Sequence, residues 1–407
     1  MLLQSIPLVF VLVGLVLYVV LGGADFGAGV WQLLAGRGEH ANRVREYAHR
    51  SMGPVWEANH VWLIFVLTVF WTSYPKAFGS VASTLGAALF IAALGIVFRG
   101  AAYALRSGVG SARESGLIDT IFSLSSILTP FALGAAVGGI ATNRVPVGNA
   151  AGHLFSSWLN PTSVFIGVLA VASCAYLAAV YLAADVARDG QDALERDFRA
   201  RALGGGGVAG ALAIAGIFIV NADNHGLFHS LLSGRALPAV IVSFLAGVAT
   251  VALVYGRRYE PARYCGALAV ASIVAGWALS RWPTILPGLT VQQAAAGHDT
   301  LVWVLACVLG GGAILFPSLG LLFSLALAGR FQAPESTVSR RLVRVPRARS
   351  GLLARVALAC LIAGFLLLNI ANAPWAHAIG LVSLLAFSLV GFRAVIFSAL
   401  GEQPTSR

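Results

Sequence analysis

The chain has little charge, little cysteine and none of the short motifs that mark nucleotide or metal chemistry. Only 11% of its 407 residues are Asp, Glu, Lys or Arg, where a soluble domain carries about 25%. Its four cysteines, Cys174, Cys265, Cys307 and Cys360, lie in separate apolar stretches, and no CxxC or CxxCH occurs. This spacing argues against a zinc site, a covalently attached haem and a disulfide framework, and packing is the reading of these thiols. No ligand spacing for a metal is present. The glycine clusters are never followed by Gly-Lys-(Ser/Thr), so they form no phosphate loop. Gly204–Gly207 reads instead as a flexible or tightly packed helix start.

What the sequence has is apolar residues, 58% of the total, gathered in long blocks. A membrane helix needs roughly 20 of them to cross about 30 Å of hydrocarbon. Eleven blocks qualify, near 4–24, 55–73, 77–98, 118–141, 161–184, 204–221, 237–256, 264–281, 299–327, 352–372 and 374–397. The first has no basic segment before it, and Asp25 among glycines stands where a cleavage site would be; it reads as a retained helix. The expected fold is an all-α polytopic membrane protein.

The net charge of +11 is distributed in a way that argues against nucleic acid. With the N-terminus outside, 23 of the 27 basic residues fall on one side, in the segments after blocks 1, 3, 5, 7 and 9 and at the C-terminus. Only Lys76, Arg144, Arg235 and Arg281 fall opposite. The excess of positive charge marks the cytoplasmic side, so the N-terminus is expected outside and the C-terminus inside.

An internal repeat organises the helices. REYAHRSMG begins at Arg45 and RDFRARALG at Arg196, 151 residues later. Both read Arg–acid–aromatic–x–x–Arg–x–(Met/Leu)–Gly just before an apolar block. Two related four-helix units follow, over 1–150 and 151–298, then a ninth helix over 299–330. A basic loop over 331–351 leads to a two-helix extension over 352–407. In the ungapped alignment Val208 stands opposite Glu57 and Ala211 opposite His60. The second unit thus lacks the first unit's acid and reads as scaffold.

Ionisable groups inside a membrane are costly and are usually paired or functional. Of the 16 acids only Asp25 and Glu57 lie within apolar runs. Both belong near the cytoplasmic end of their helices, at the depth of Arg99 on helix 3. Crowded carboxyl groups in a low dielectric hold protons to higher pH, so such a cluster can carry protons; a structural ion pair with Arg99 is the equal alternative. His60 lies three residues after Glu57, on the same helix face. It could relay protons, ligate haem or simply pack. Gly22, Gly23, Gly27 and Gly29 surround Asp25 and suit close helix packing. Trp71, Trp158, Trp282 and Trp375 sit near outer helix ends, where membrane proteins place an aromatic belt.

Four segments carry a family resemblance. GGADFGAGVW, GPVWEANHVWLI, FRGAAYALR (from Phe98) and RWPTILPGLT (from Arg281) resemble signatures of subunit II of cytochrome bd-type quinol oxidases. The Glu57 and His60 forms are similar to the cyanide-insensitive branch. The resemblance spans about residues 1–332. It implies a partner, the haem-bearing subunit I, which holds haem b and haem d in a bacterial plasma membrane. It also implies quinol as the substrate of the complex, protons drawn from the cytoplasm, and no catalytic residue, cofactor or metal on this chain. Asp25 and Glu57 match positions implicated in a proton path, with His60 and Arg99 beside them. Trp56, Asn59 and Trp62 become candidates for partner contact. Some members add a small single-helix subunit or a structural quinone, besides membrane lipid. The helices after residue 350 depart from the usual nine and leave three readings open: an added contact, a lipid cover or a fused small subunit. A secondary transporter is the competing class, but no helix interruption recurs in both halves near the midplane.

Overall fold

The structure, a computed structural model, describes residues 2–36, 38–52, 56–106, 112–327, 352–369 and 373–400. The described residues of the apolar blocks are helical, with one break at Leu85, because a chain in hydrocarbon has no other donors and acceptors for its backbone than its own. Helix α1 (Leu2–Leu17) passes through one π turn (Tyr18–Gly22) into α2 (Gly23–Leu33). Then come α3 (Glu39–Met52), α4 (Trp56–Ser73), α5 (Pro75–Thr84), α6 (Gly86–Arg106) and α7 (Ala112–Ala141). The second half holds α8 (Pro161–Arg188), α9 (Asp192–Asp223), α10 (His225–Ser233), α11 (Leu237–Tyr255) and α12 (Tyr259–Arg281). A two-stranded hairpin, β1 (Thr284–Leu286) and β2 (Leu289–Thr290), precedes α13 (Val291–Ala294) and α14 (His298–Leu327). Finally α15 (Leu352–Asn369) packs against α16 (Pro374–Leu400). Residues Met1–Leu319 and Gly320–Arg407 form two separate compact units.

Among the described residues, eight helices are long and apolar enough to cross a membrane, and three shorter apolar helices lie over Asn59–Ser73, Arg355–Gly364 and Trp375–Val390. The block near 77–98 is divided at Leu85 into α5 and α6. The segment after α2, expected as a loop, contains α3. Ala41, Val44, Tyr47 and Ala48 are buried along one side of it while its charges face outward, the 3.6-residue period of an amphipathic helix. The Tyr47 hydroxyl donates to Asp189 Oδ2 at 2.8 Å, which ties α3 to the end of α8. Gly204–Gly207 lies inside α9, not at its start.

The two halves share an element order. Short α5 follows α4 as short α10 follows α9, and α6 and α11 come next, starting at Gly86 and Leu237. They differ at the repeated motif: its first copy lies at the end of α3, its second inside the unbroken α9.

The tightest packing is around α2. A β-carbon on Gly27 would stand 1.9 Å from the Cys174 carbonyl oxygen of α8, and one on Gly29 2.3 Å from the Ser126 hydroxyl of α7. Gly22 and Gly23 would meet side chains no closer than 3.4 Å. The Trp31 indole N–H donates to Ala175 O at 2.7 Å and locks the same interface. Gly27→Ala would push backbone against backbone. Overpacking costs about 1–3 kcal/mol and sometimes more, so the melting midpoint of the purified protein is expected to fall by several degrees. Gly207→Ala, with open space around it, is the control and is expected to leave the midpoint unchanged or slightly raised.

Candidate functional site

The π turn Tyr18–Gly22 ends where α2 begins, and Asp25 lies in the first turn of α2. A π turn within a helix is rare and concentrates at functional positions. Asp25 is 6% exposed and Arg99, on α6, is 2% exposed. Their contact is a two-pronged fork: Arg99 Nη1 donates to Asp25 Oδ2 at 2.7 Å and Nη2 to Oδ1 at 2.8 Å. Nη2 also reaches the Asp25 carbonyl at 3.0 Å, and Nε donates to the Ser126 hydroxyl at 2.9 Å. The Ser126 hydroxyl in turn donates a hydrogen bond to Phe122 O at 2.7 Å. The guanidinium carbon sits 4.9 Å from the Phe26 ring centre and 4.7 Å from that of Phe122. A buried charge needs this degree of pairing, since taking each ion out of water costs several kcal/mol.

Beyond Asp25 lies an aromatic box. Tyr18, Phe26 and His60 meet edge to face, with centroid separations of 6.4 Å from Tyr18 to Phe26, 6.4 Å from Tyr18 to His60 and 6.2 Å from Phe26 to His60. A haem ligated by His60 would have to displace both neighbouring rings, so the box does not fit a macrocycle. Asn59 is 1% exposed. It faces the interior of this chain rather than a partner, and its amide atoms find no protein hydrogen bond among the described residues. Trp62 is partly buried against the Tyr18–Phe26–Cys174 cluster. Glu57 belongs to the first turn of α4 by its backbone; its side chain, like that of Trp56, lies outside the described residues. Trp158, expected at an interface, is buried, with its indole N–H on Leu154 O at 2.9 Å; Trp71 and Trp282 are exposed. Of the cysteines, Cys174 is buried and Cys307 exposed, and all four are free thiols.

The helix period extends the site toward α3. Asp25, Gly29 and Gln32 are spaced i, i+4, i+7 on α2; Arg99, Tyr103 and Arg106 are so spaced on α6; Asp119, Phe122 and Ser126 lie at i, i+3, i+7 on α7. Each set shares a helix face. The three stripes meet at the deep end, and pairs of them at the levels beyond. Asp25, Arg99 and Ser126 bond at the deep end. One turn on, the Phe122 ring comes within 3.5 Å of where a Gly29 β-carbon would lie. At the far end Arg106 and Asp119 pair at 3.3 Å.

There a cleft of about 670 Å³ opens, lined by Arg45, Glu46, His49, Tyr103, Arg106 and Asp119 among others. The His49 ring lies 4.9 Å from Tyr103 and 6.2 Å from Phe122. Burial lowers its pKa to about 4, helped by Arg106 and Arg99, so it is neutral at physiological pH. Sequence reasoning placed Asp25 and Arg99 together but missed the cleft. His49 stood in the repeated motif as an unassigned position, and Gln32 carried no signal beyond its spacing from Asp25.

Comparison with known proteins gives a consistent result. The profile of the cytochrome bd terminal oxidase subunit II family matches residues 3–326. The cytochrome bd-I ubiquinol oxidase subunit 2 of Escherichia coli (strain K12) is 26% identical over 182 residues, 42% of this chain and 47% of that protein. The match thus spans about half the length of that relative. A Bacillus subtilis (strain 168) relative, described as a cytochrome bd menaquinol oxidase subunit II, is 26% identical over 321 residues, 74% of this chain and 89% of its own. Among solved structures, a chain of the bd oxidase from Geobacillus thermodenitrificans superposes with a TM-score of 0.64 at 25% identity, covering 80% of this chain and 99% of that one.

Proposed function

The chain belongs to the cytochrome bd terminal oxidase subunit II family, and on that premise we propose that it is the haem-free second subunit of a quinol:oxygen oxidoreductase in a bacterial plasma membrane. Its partner is subunit I, which holds haem b and haem d. Those haems supply the electron transfer and oxygen binding. This chain supplies a scaffold and a path for protons. Quinol oxidation releases electrons and protons, and reducing oxygen to water consumes both in equal number. Drawing the consumed protons from the cytoplasm makes the reaction electrogenic.

The observation that carries this reading is the buried Asp25–Arg99 fork. It sits inside the GGADFGAGVW segment, one helix away from Glu57 and His60 on α4. A membrane acid paired with one guanidinium is balanced enough to persist in hydrocarbon, and Glu57, in the first turn of α4, is a second acid able to hand on protons. The repeat supports a division of labour: α8–α12 hold the scaffold, and the second copy has Val208 where the first has Glu57. The N-terminus faces outside and the α3 side faces the cytoplasm, a reading supported by the excess of arginine on that side. Helices α15 and α16 lie beyond the matched residues, and their apolar runs contain no acid; we assign them to contact or lipid cover rather than to chemistry.

Co-purification tests the reading. The two-chain complex is expected to show haem absorbance and quinol-dependent oxygen uptake, and this chain purified alone is expected to show neither. Stoichiometric haem on the lone chain would overturn it, as would an assembled, haem-bearing complex that consumes no oxygen.

A further inference from the structure

We propose that Gln32 and His49 line a hydrated intake route that leads protons from the α3–α6–α7 cleft to the Asp25–Arg99 pair. The inference rests on the reading of that pair as part of a proton path, and adds where the path begins.

Three observations carry it. The first is the alignment of the stripes. The cleft lies at the end of the α6 and α7 stripes opposite to Arg99 and Ser126, two helical turns or about 10 Å away along the axis, and Gln32 stands the same two turns beyond Asp25 on its face of α2. The level of Phe122 and Tyr103 lies between them. The Phe122 ring centre is 4.7 Å from the Arg99 guanidinium carbon and 6.2 Å from the His49 ring.

The second is a set of buried polar atoms. Gln32 is 2% exposed, yet neither its amide oxygen nor its amide nitrogen has a hydrogen-bond partner among the described residues. His49 Nδ1 is likewise buried without one. Leaving such a group unsatisfied costs about 1–3 kcal/mol, and buried polar groups without a protein partner are normally bonded to internal water. Leucine would pack in Gln32's place at no such cost. The amide therefore marks a position where water is held between the cleft and Asp25.

The third is charge. The titratable and charged groups facing His49 are Arg45 and Glu46 on its own helix, Arg99, Tyr103 and Arg106 on α6, and Asp119 on α7. Asp119 is paired with Arg106, and Asp25 with Arg99. An imidazole held neutral keeps one donor and one acceptor nitrogen. It can pass a proton by changing tautomer, without storing charge beside two arginines. The same arginines repel metal cations, so a hydrogen-bonded chain conducts where an ion does not.

The test uses the complete complex, reconstituted in liposomes, with His49→Phe, His49→Gln and Gln32→Leu. Haem content and assembly are expected to stay normal. Oxygen uptake in His49→Phe and Gln32→Leu is expected to fall roughly tenfold, less than the roughly 10²–10⁴ lost with a positioned acid or base, because water still carries part of the proton flow. The deficit should deepen as pH rises and free protons become scarcer, and His49→Gln, which stays polar but cannot change tautomer, should remain about as slow as His49→Phe. A purely structural role moves stability without changing the pH profile. Should Gln32→Leu fail to assemble, His49→Phe at its half-exposed site decides alone. Full turnover with an unchanged pH profile in assembled His49→Phe overturns the proposal. Glu57→Gln, measured alongside, separates the two levels. If it slows turnover while His49→Phe does not, the intake lies elsewhere and the reading of the acid cluster stands. If neither slows it, that reading falls as well.

Discussion

Arg99→Leu is expected to remove the assembled complex from the membrane rather than to slow it. The side chain is almost wholly buried and makes three hydrogen bonds to Asp25, one to Ser126 and two contacts with aromatic faces. Its loss leaves the Asp25 carboxylate in a low dielectric without its counter-charge. Breaking a buried pair from one side costs about 3–5 kcal/mol, a large share of the roughly 5–15 kcal/mol that holds a typical domain together. Arg99→Lys keeps the charge but not the planar fork, so partial assembly is expected. The double variant Asp25→Asn/Arg99→Gln is the informative one. Removing both charges together should restore assembly, read as haem content per milligram of membrane protein. If oxygen uptake returns with it, the pair is structural; if assembly returns without turnover, Asp25 takes part in proton transfer. The second result is expected.

Glu57→Gln is expected to do the reverse, with haem and assembly kept and turnover lost. Glutamine preserves the shape and hydrogen bonding of glutamate but cannot give up or accept a proton at its amide. Removing a positioned proton-transfer group lowers rates by about 10²–10⁴, so oxygen uptake should drop by on the order of a hundredfold. Glu57→Asp keeps the exchangeable proton and should retain most of the rate. Quinol oxidase assays on purified complexes of matched haem content decide between these outcomes.

The sequence made some levels of this structure legible and hid others, for physical reasons. Membrane helices were readable because hydrocarbon forces every apolar block to satisfy its own backbone. Asp25 and Arg99 were readable together because burial of charge is so costly that two opposite charges at one depth must meet. The division at Leu85 escaped notice because both sides of it are apolar, and hydropathy does not register a change in backbone direction. Helix α3 was missed because its apolar positions, Ala41, Val44, Tyr47 and Ala48, are too few for a hydrophobic block and show only as a period. The importance of Gly27 could be suspected from its spacing, but the approach of the Cys174 carbonyl depends on α8, 147 residues away. Asn59 sat between two tryptophans in a motif suited to a partner surface, and only tertiary packing shows that it points inward. Gln32 and His49 belong to the same class: each is ordinary in its own segment, and each matters through what α6 and α7 bring alongside.

The central claim is that this chain feeds cytoplasmic protons to oxygen reduction in its partner. Its most direct test is the proton uptake that accompanies oxygen consumption on the α3 side of reconstituted complexes, compared between the native chain and Glu57→Gln. The native complex should make that side more alkaline in step with oxygen uptake, and Glu57→Gln, with haem content unchanged, should lose both together. Native rates of oxygen consumption and proton uptake in the assembled Glu57→Gln complex would contradict the account.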